Sequence, residues 1–258
     1  MDNIIHTIDP SNVDRYGFFC YKSKPKTQGF RQKREWLGSC LAEGVRLKIL
    51  YEGERSAGFI EYAPGEYTWR AVQAPGYLVI HCMWVVGSGK GKGYGARLLD
   101  QVVDEAESLG MYGVAAVSSD STWLAKKGFF LHHGFEVVDQ APPSFELLVR
   151  RFDSCNLPSF PQDWESRMNR IPQGLVVYHS GQCPYNAMFV TSLLNAASGL
   201  GIQAHSMELR SSHEARNHSP SAYGVFGVVY NGRLLSYRPM GGKTLREMLE
   251  RTDEQILP

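Results

Sequence analysis

The sharpest change of pattern along the chain falls between Tyr77 and Leu109. Leu78 to Val86 is an apolar, β-branched and aromatic run of strand length, broken by His81, and it predicts a buried strand. Gly87, Gly89, Gly91, Gly93 and Gly95 follow at alternate positions, with Lys90 and Lys92 between them. Leu98, Leu99, Val102, Val103 and Ala106 then recur on one helical face, predicting a helix from Tyr94 to Leu109 that Gly110 closes.

The pattern elsewhere is coarser. Before Cys20 it supports only a short strand and a turn. Gln28 to Glu43 reads as a helix, with Phe30, Trp36, Leu37 and Cys40 apolar. Val45 to Tyr51 and Ser56 to Tyr62 form a hairpin around Glu52-Gly53-Glu54. Gly113 to Ser118 is a short buried strand, Thr122 to His133 a helix, and Phe135 to Val138 and Phe145 to Phe152 are strands.

After Phe152 the pattern breaks. Residues 153–172 hold Pro158, Pro161 and Pro172 among mixed polar and aromatic positions, as in a linker or a strap. A second set of elements follows over 173–258. Gly174 to His179 is a strand, Met188 to Ala197 carries helical periodicity, and Gln203 to Leu209 is a strand. Ser211 to Ser219 reads as irregular. Gly224 to Tyr230 and Leu234 to Arg238 make a hairpin across Asn231-Gly232, and Lys243 to Arg251 a closing helix. The expected fold class is α/β, with one domain over 1–152 and a smaller one over 173–258.

Composition narrows the classes. Of 258 residues, 43% are hydrophobic and 21% charged, enough for a real core, and the net charge of +1 argues against nucleic acid or an anionic membrane as partner. No apolar run approaches a membrane span and the start lacks a basic-then-apolar pattern, so a cytoplasmic location is expected. The five cysteines include no CxxC pair, which speaks against structural disulfides and against a metal site.

The glycine turn carries the chemistry. Glycines let backbone N–H groups approach a ligand, and a helix N-terminus behind them attracts anions, so a phosphate-bearing ligand is expected. GxxxxGK[ST] is absent, and no offset completes GxGxxG. Lys90-Gly91-Lys92-Gly93-Tyr94-Gly95, coming after Val85, resembles the pyrophosphate loop of the GNAT superfamily of N-acetyltransferases, with Lys90 where Gln or Arg is usual. Phe129-Phe130-Leu131-His132-His133-Gly134-Phe135 resembles that family's helix-to-strand ending.

The resemblance, spanning Asp2 to Phe152, implies a central mixed, splayed sheet flanked by helices and acetyl-CoA as co-substrate. It also implies direct attack by a small-molecule or peptide amine in a ternary complex; such domains often form a homodimer, and the sequence leaves the oligomeric state open. Backbone groups at Val85 and Val86 would pair with the pantetheine arm, and Lys90 to Gly95 would cradle the phosphates. The Gln28 to Glu43 helix would either shape the acceptor pocket or simply pack on the sheet.

For the general base, His81 is favoured. It lies on the central strand, on the face of Met83 and Val85 if alternation is strict, and at least one family member has a histidine there. Glu61, on the neighbouring strand, is the second candidate; a packed core histidine is the plain alternative. Many members place a tyrosine acid where this chain has Phe130, so either Tyr94 or Tyr112 donates the proton, or the CoA thiolate leaves unassisted.

The C-terminal order of strand, helix, strand, hairpin and helix resembles thioredoxin-like folds. Cys183-Pro184-Tyr185-Asn186 resembles the glutaredoxin motif with its second cysteine replaced, and Pro220 falls where that fold keeps a cis-proline. With the N-terminal part, this is similar to the YoaP-like acetyltransferases. Cys183 at a helix N-terminus would be a stabilised thiolate, and Cys155 would be its resolving thiol only if the linker folds back. A monothiol redox protein, or an adaptor with a regulatory or vestigial acetyl-CoA site, is therefore the alternative function.

Overall fold

The computed structural model describes residues 3–120, 123–153 and 156–254. In chain order the N-terminal part runs β1 (Asn3–Ile8), α1 (Val13–Tyr16), α2 (Gln28–Ala42), β2 (Arg46–Glu52), β3 (Arg55–Pro64), β4 (Tyr77–Val85), α3 (Tyr94–Ser108) and β5 (Gly113–Ser118). Next come α4 (Lys127–His132), β6 (Glu136–Ala141), β7 (Phe145–Arg151) and α5 (Trp164–Asn169). The C-terminal part holds β8 (Leu175–His179), α6 (Asn186–Gly199), β9 (Ala204–Glu208), α7 (Ser212–His218), β10 (Phe226–Tyr230), β11 (Arg233–Ser236) and α8 (Gly242–Glu254).

Two sheets organise these elements. One has seven strands in the order β1-β2-β3-β4-β5-β7-β6, with the β4–β5 pair parallel and the other pairs antiparallel. The mixed sheet expected from the sequence is present. The other sheet has the order β11-β10-β8-β9, with β8 and β9 parallel. Among the described residues no helix is long and apolar enough to cross a membrane.

Each face of the large sheet buries a different set of side chains. On one face, Leu98, Leu99, Val102, Val103 and Ala106 of α3 pack with Leu78 and Ile80 of β4 and with Phe130 and Phe135. On the other, Trp36, Leu37, Cys40 and Leu41 of α2 join Tyr77 and Val79 in a core that continues without a break into Val176, Val177, Phe226 and Val228 of the small sheet. The C-terminal part thus shares a hydrophobic core with the α2 face of the large sheet.

Polar clasps reinforce that union. Arg70, 1% exposed, donates to the carbonyl oxygens of both His81 and Tyr223. Arg167 donates to the carbonyls of Arg216 and Ser219, and Arg216 in turn to those of Glu66 and Thr68. The proline-containing segment is pinned rather than loose: Ser159 bridges to Gln73, and the Phe160 N–H donates to Asp139 Oδ2 at 2.7 Å.

Helix α2 meets the β8–α6 turn so closely that a Cβ on Gly29 would run into the Pro184 carbonyl oxygen. Gly29→Ala is expected to cost about 1–3 kcal/mol, the usual cost of overpacking, or roughly 2–10 °C in Tm. A calorimetric Tm within a degree of wild type would show that the turn yields freely.

Three local expectations change. Ser211 to Ser219 is not irregular: Ser211 Oγ accepts the Glu214 N–H at 3.1 Å and caps α7, a Ser-x-x-Glu spacing the sequence already contained. The helix expected from Thr122 starts only at Lys127 (Thr122 itself lies outside the described residues). Trp123 turns instead to Tyr185 and Phe189, and the Ala125 carbonyl is held by Ser118 Oγ at 3.0 Å. The cis peptide among the described residues is Pro142–Pro143, and the bond before Pro220 is trans.

Candidate active site

The parallel pairing of β4 with β5 runs only from Tyr77 to Ile80. Beyond that point β4 keeps β3 on one side, with Val85 opposite Gly58, while β5 gives its length to β7. The His81 carbonyl is taken by Arg70, and from Cys82 to Val85 the other edge of β4 presents backbone donors and acceptors to whatever extended ligand lies there.

That edge leads directly into the glycine turn. The Val86 N–H donates to the Ala57 carbonyl at 2.9 Å, which anchors the exit from the strand. Gly91 and Gly93 adopt φ of +78° and +74°, where other residues are strained, and Gly93 is the N-cap of α3. No side chain caps this helix end, so its first-turn N–H groups remain for an anion. Gly95 lies against Phe129, where a Cβ would sit 3.4 Å from the ring.

The two lysines divide. Lys92 is paired with Glu52 on β2 at 2.6 Å, and the Tyr94 hydroxyl donates to the same carboxylate at 2.9 Å. Glu52 thus occupies both groups, which corrects the expectation that Lys92 is a free phosphate cation and Tyr94 a proton donor. Lys90 is exposed, 5.6 Å above the Trp84 ring, and remains the available cation. Tyr112 precedes Gly113, which pairs with Tyr77 at the far end of β4, so it is no acid for the open edge. Phe130 is 1% exposed between Phe129 and Phe135, and it has no proton to give.

On the opposite face of the sheet lies a buried charged group. The β3–β4 register slips so that Glu61 faces Cys82 and Tyr62 faces Ile80, leaving His81 as the extra residue of a bulge. The bulge breaks strict alternation. Met83 and Val85 pack on the α3 face, whereas His81 and Cys82 both turn to the α2 face. The expectation that His81 shares a face with Val85 fails for this reason.

His81 Nε2 accepts the backbone N–H of Trp69 at 3.1 Å. In the neutral ring the proton is therefore on Nδ1, which lies 3.6 Å from Glu61 Oε1. Burial lowers the His81 pKa against the opposing pull of Glu61, so the neutral form persists at pH 7. With its lone pair engaged, this imidazole is not the free base that the sequence suggested.

Glu61 is 1% exposed and carries the charge. Lys33, from α2, donates to its Oε2, and Gln182, from the β8–α6 turn, donates to Oε1 at 2.7 Å. Burial pushes the Glu61 carboxyl up, but Lys33 and His81 together outweigh it and hold the group below the ordinary carboxylate range. The Lys33 ammonium also sits 4.0 Å from the centre of the Trp36 ring.

Cys183 lies beside this group, in surroundings that disfavour its thiolate. It precedes the first turn of α6, its carbonyl accepting the Asn186 N–H at 3.1 Å. Burial raises the thiol above its usual pKa despite a hydrogen bond from Tyr185. Cys82, also close to Glu61, is pushed up to about 12 by burial and that negative charge. The expected thiolate is thus disfavoured, and Cys155, the proposed resolving thiol, lies outside the described residues. Asn186, in place of the second cysteine, donates to the carbonyls of Ser180 and Val225 at 3.1 Å each and clasps the turn to β10.

Sequence reasoning found Glu61, His81 and the glycine loop but missed Lys33, Arg70 and Gln182. A lysine inside an otherwise amphipathic helix gave a faint signal. Nothing local to Gln182 announced a contact with Glu61, so far away in the chain.

The sequence profile of the acetyltransferase (GNAT) family matches residues 14–135. A relative in Bacillus subtilis (strain 168), described as uncharacterized N-acetyltransferase YoaP, is 30% identical over 247 residues, covering 94% of this chain and 96% of its own. The PaiA N-acetyltransferase of Thermoplasma acidophilum, solved with coenzyme A, aligns at 13% identity and a TM-score of 0.43, over 59% of this chain and 100% of that one. A GNAT family acetyltransferase of Brucella melitensis, solved with acetyl-CoA, aligns at 15% identity and a TM-score of 0.41, over 62% and 94%.

Proposed function

The chain belongs to the acetyltransferase (GNAT) family and is an acetyl-CoA-dependent N-acetyltransferase, and from that premise we propose that it acetylates a small-molecule or peptide amine by direct attack in a ternary complex. The observation that carries the reading is the open Cys82–Val85 edge of β4 running into an uncapped helix N-terminus. Acetyl-CoA supplies an activated acyl carbon and a thiol leaving group. The first-turn N–H groups of α3, the Gly91 to Gly95 backbone and Lys90 bind its phosphates, and Val85 offers backbone partners to the arm, whereas Val86, expected to share that role, has its N–H and carbonyl taken by Ala57 and Gly89.

Glu61 is the proton acceptor in this reading, and His81 Nδ1–H steadies its carboxylate. Lys33 now occupies Oε2, so an acceptor ammonium reaches Glu61 by exchanging with it. In a site this buried, passing the proton from ammonium to carboxylate leaves two neutral groups, which burial favours. With Phe130 at the usual acid position, the thiolate departs unassisted; a thiol pKa of about 8.5 makes that feasible. The C-terminal part walls the acceptor side and helps choose the acceptor.

Calorimetric titration of acetyl-CoA tests the reading. Micromolar binding to wild type, weakened at least tenfold in Gly93→Asp, is expected, because the variant sets a negative charge in the phosphate cradle. No binding by folded wild type would remove the transferase reading.

A further inference from the structure

The Glu61 carboxylate takes its two hydrogen bonds from opposite ends of the chain, Lys33 on one oxygen and Gln182 on the other. A carboxylate only accepts, so the Gln182 amide must present its NH₂. Its side chain is 5% exposed and its turn is held on three sides. The Gln182 N–H donates to Ser180 Oγ at 3.3 Å, Asn186 clasps the Ser180 carbonyl, and Gly181 is pressed against the Gln32 carbonyl and Trp36 Cβ.

We propose that Gln182 is a positioning residue of the transferase: the turn resembling a degenerate redox motif serves to hold Glu61 Oε1 still while Oε2 exchanges Lys33 for the acceptor ammonium. The inference rests on Glu61 as the proton acceptor. Without Gln182 the carboxylate loses the fixed donor that favours its ionised form, rotates, and titrates higher. The C-terminal part is then a working piece of the site as well as a wall of it. No bond is made to Gln182 and no proton passes through it.

The test follows CoA release from acetyl-CoA across pH, with butylamine as the probe amine because it matches the Lys33 side chain now on Glu61. Gln182→Met is near-isosteric and lacks the donor. It is expected to lower kcat about 10–100-fold and to move the acid limb of the kcat profile upward, with acetyl-CoA affinity unchanged. Gln182→Glu still donates while protonated, so its activity is expected to recover at low pH and to fall as pH rises and the two carboxylates repel. A merely structural glutamine would lower the Tm of both variants and leave the profiles parallel to wild type.

Parallel profiles beside an inactive Glu61→Gln would overturn the inference alone. An active Glu61→Gln would remove the proton-acceptor reading and the inference with it. Carbon NMR titration of labelled glutamate carboxyls gives a second readout without turnover. The Glu61 midpoint is expected to rise in Gln182→Met, and an unmoved midpoint overturns the proposal.

Discussion

Glu61→Gln is expected to cut turnover by about 10²–10⁴-fold while acetyl-CoA affinity stays within about twofold of wild type. The separation follows from the architecture. The proposed phosphate cradle lies at the N-terminus of α3, whose side chains pack on one face of the sheet, and Glu61 lies on the other face with Lys33 and Trp36. The substitution removes the proton acceptor and leaves the Lys33 ammonium buried without its counter-charge. Some loss of stability therefore accompanies the loss of rate. Glu61→Asp separates the two effects: it keeps the charge, but its shorter side chain cannot reach both Lys33 and Gln182. A loss of at least tenfold is expected there too, with a Tm closer to wild type. Should either folded variant keep more than a third of the wild-type turnover, Glu61 would be excluded as the proton acceptor.

The N-terminal sheet was legible because its signals are local. The β4 run, the alternating glycines and the α3 periodicity each lie within a few turns of chain, and the element order follows from them. The bulge at His81 was not legible: it is a property of the β3–β4 register, and one extra residue re-aims every side chain beyond it. That single slip moved His81 off the face of Val85 and set it beside Glu61. The fate of Cys183 was hidden for a related reason. A helix N-terminus lowers a thiol pKa only where the thiol meets the first turn in a polar setting, and here burial prevails. Where the resembled motif has its second cysteine, Asn186 makes two hydrogen bonds. The contacts that sequence could not supply, Gln182 to Glu61 and Arg70 to Tyr223, join residues far apart in the chain and carry no motif.

Lys33→Met is expected to reverse the pH dependence of stability. In the wild type the Lys33 ammonium helps hold the folded-state pKa of Glu61 below its unfolded value of about 4.3. A depressed carboxylate contributes stability that is present above the unfolded pKa and lost as pH falls through the folded value. Wild-type Tm should therefore change little from this group between about pH 5 and 7 and decline below that. Removing the ammonium leaves burial as the leading influence on Glu61, opposed only by Gln182 and His81. Its folded pKa then rises above the unfolded one, and the sign inverts: the contribution is complete below about pH 4.3 and is lost as pH climbs through the raised value. At pH 7 an uncompensated buried carboxylate costs about 3–5 kcal/mol, on the order of 10 °C in Tm, and acidification should return much of it. Calorimetric Tm values at intervals from pH 4.5 to 7.5 decide the matter. A Lys33→Met curve lying parallel to wild type would mean that Lys33 does not set the charge state of Glu61, and the exchange of Lys33 for an acceptor ammonium would lose its basis. Convergence of the two curves at low pH would show that Lys33 keeps Glu61 ionised in the folded protein, the state a proton acceptor needs.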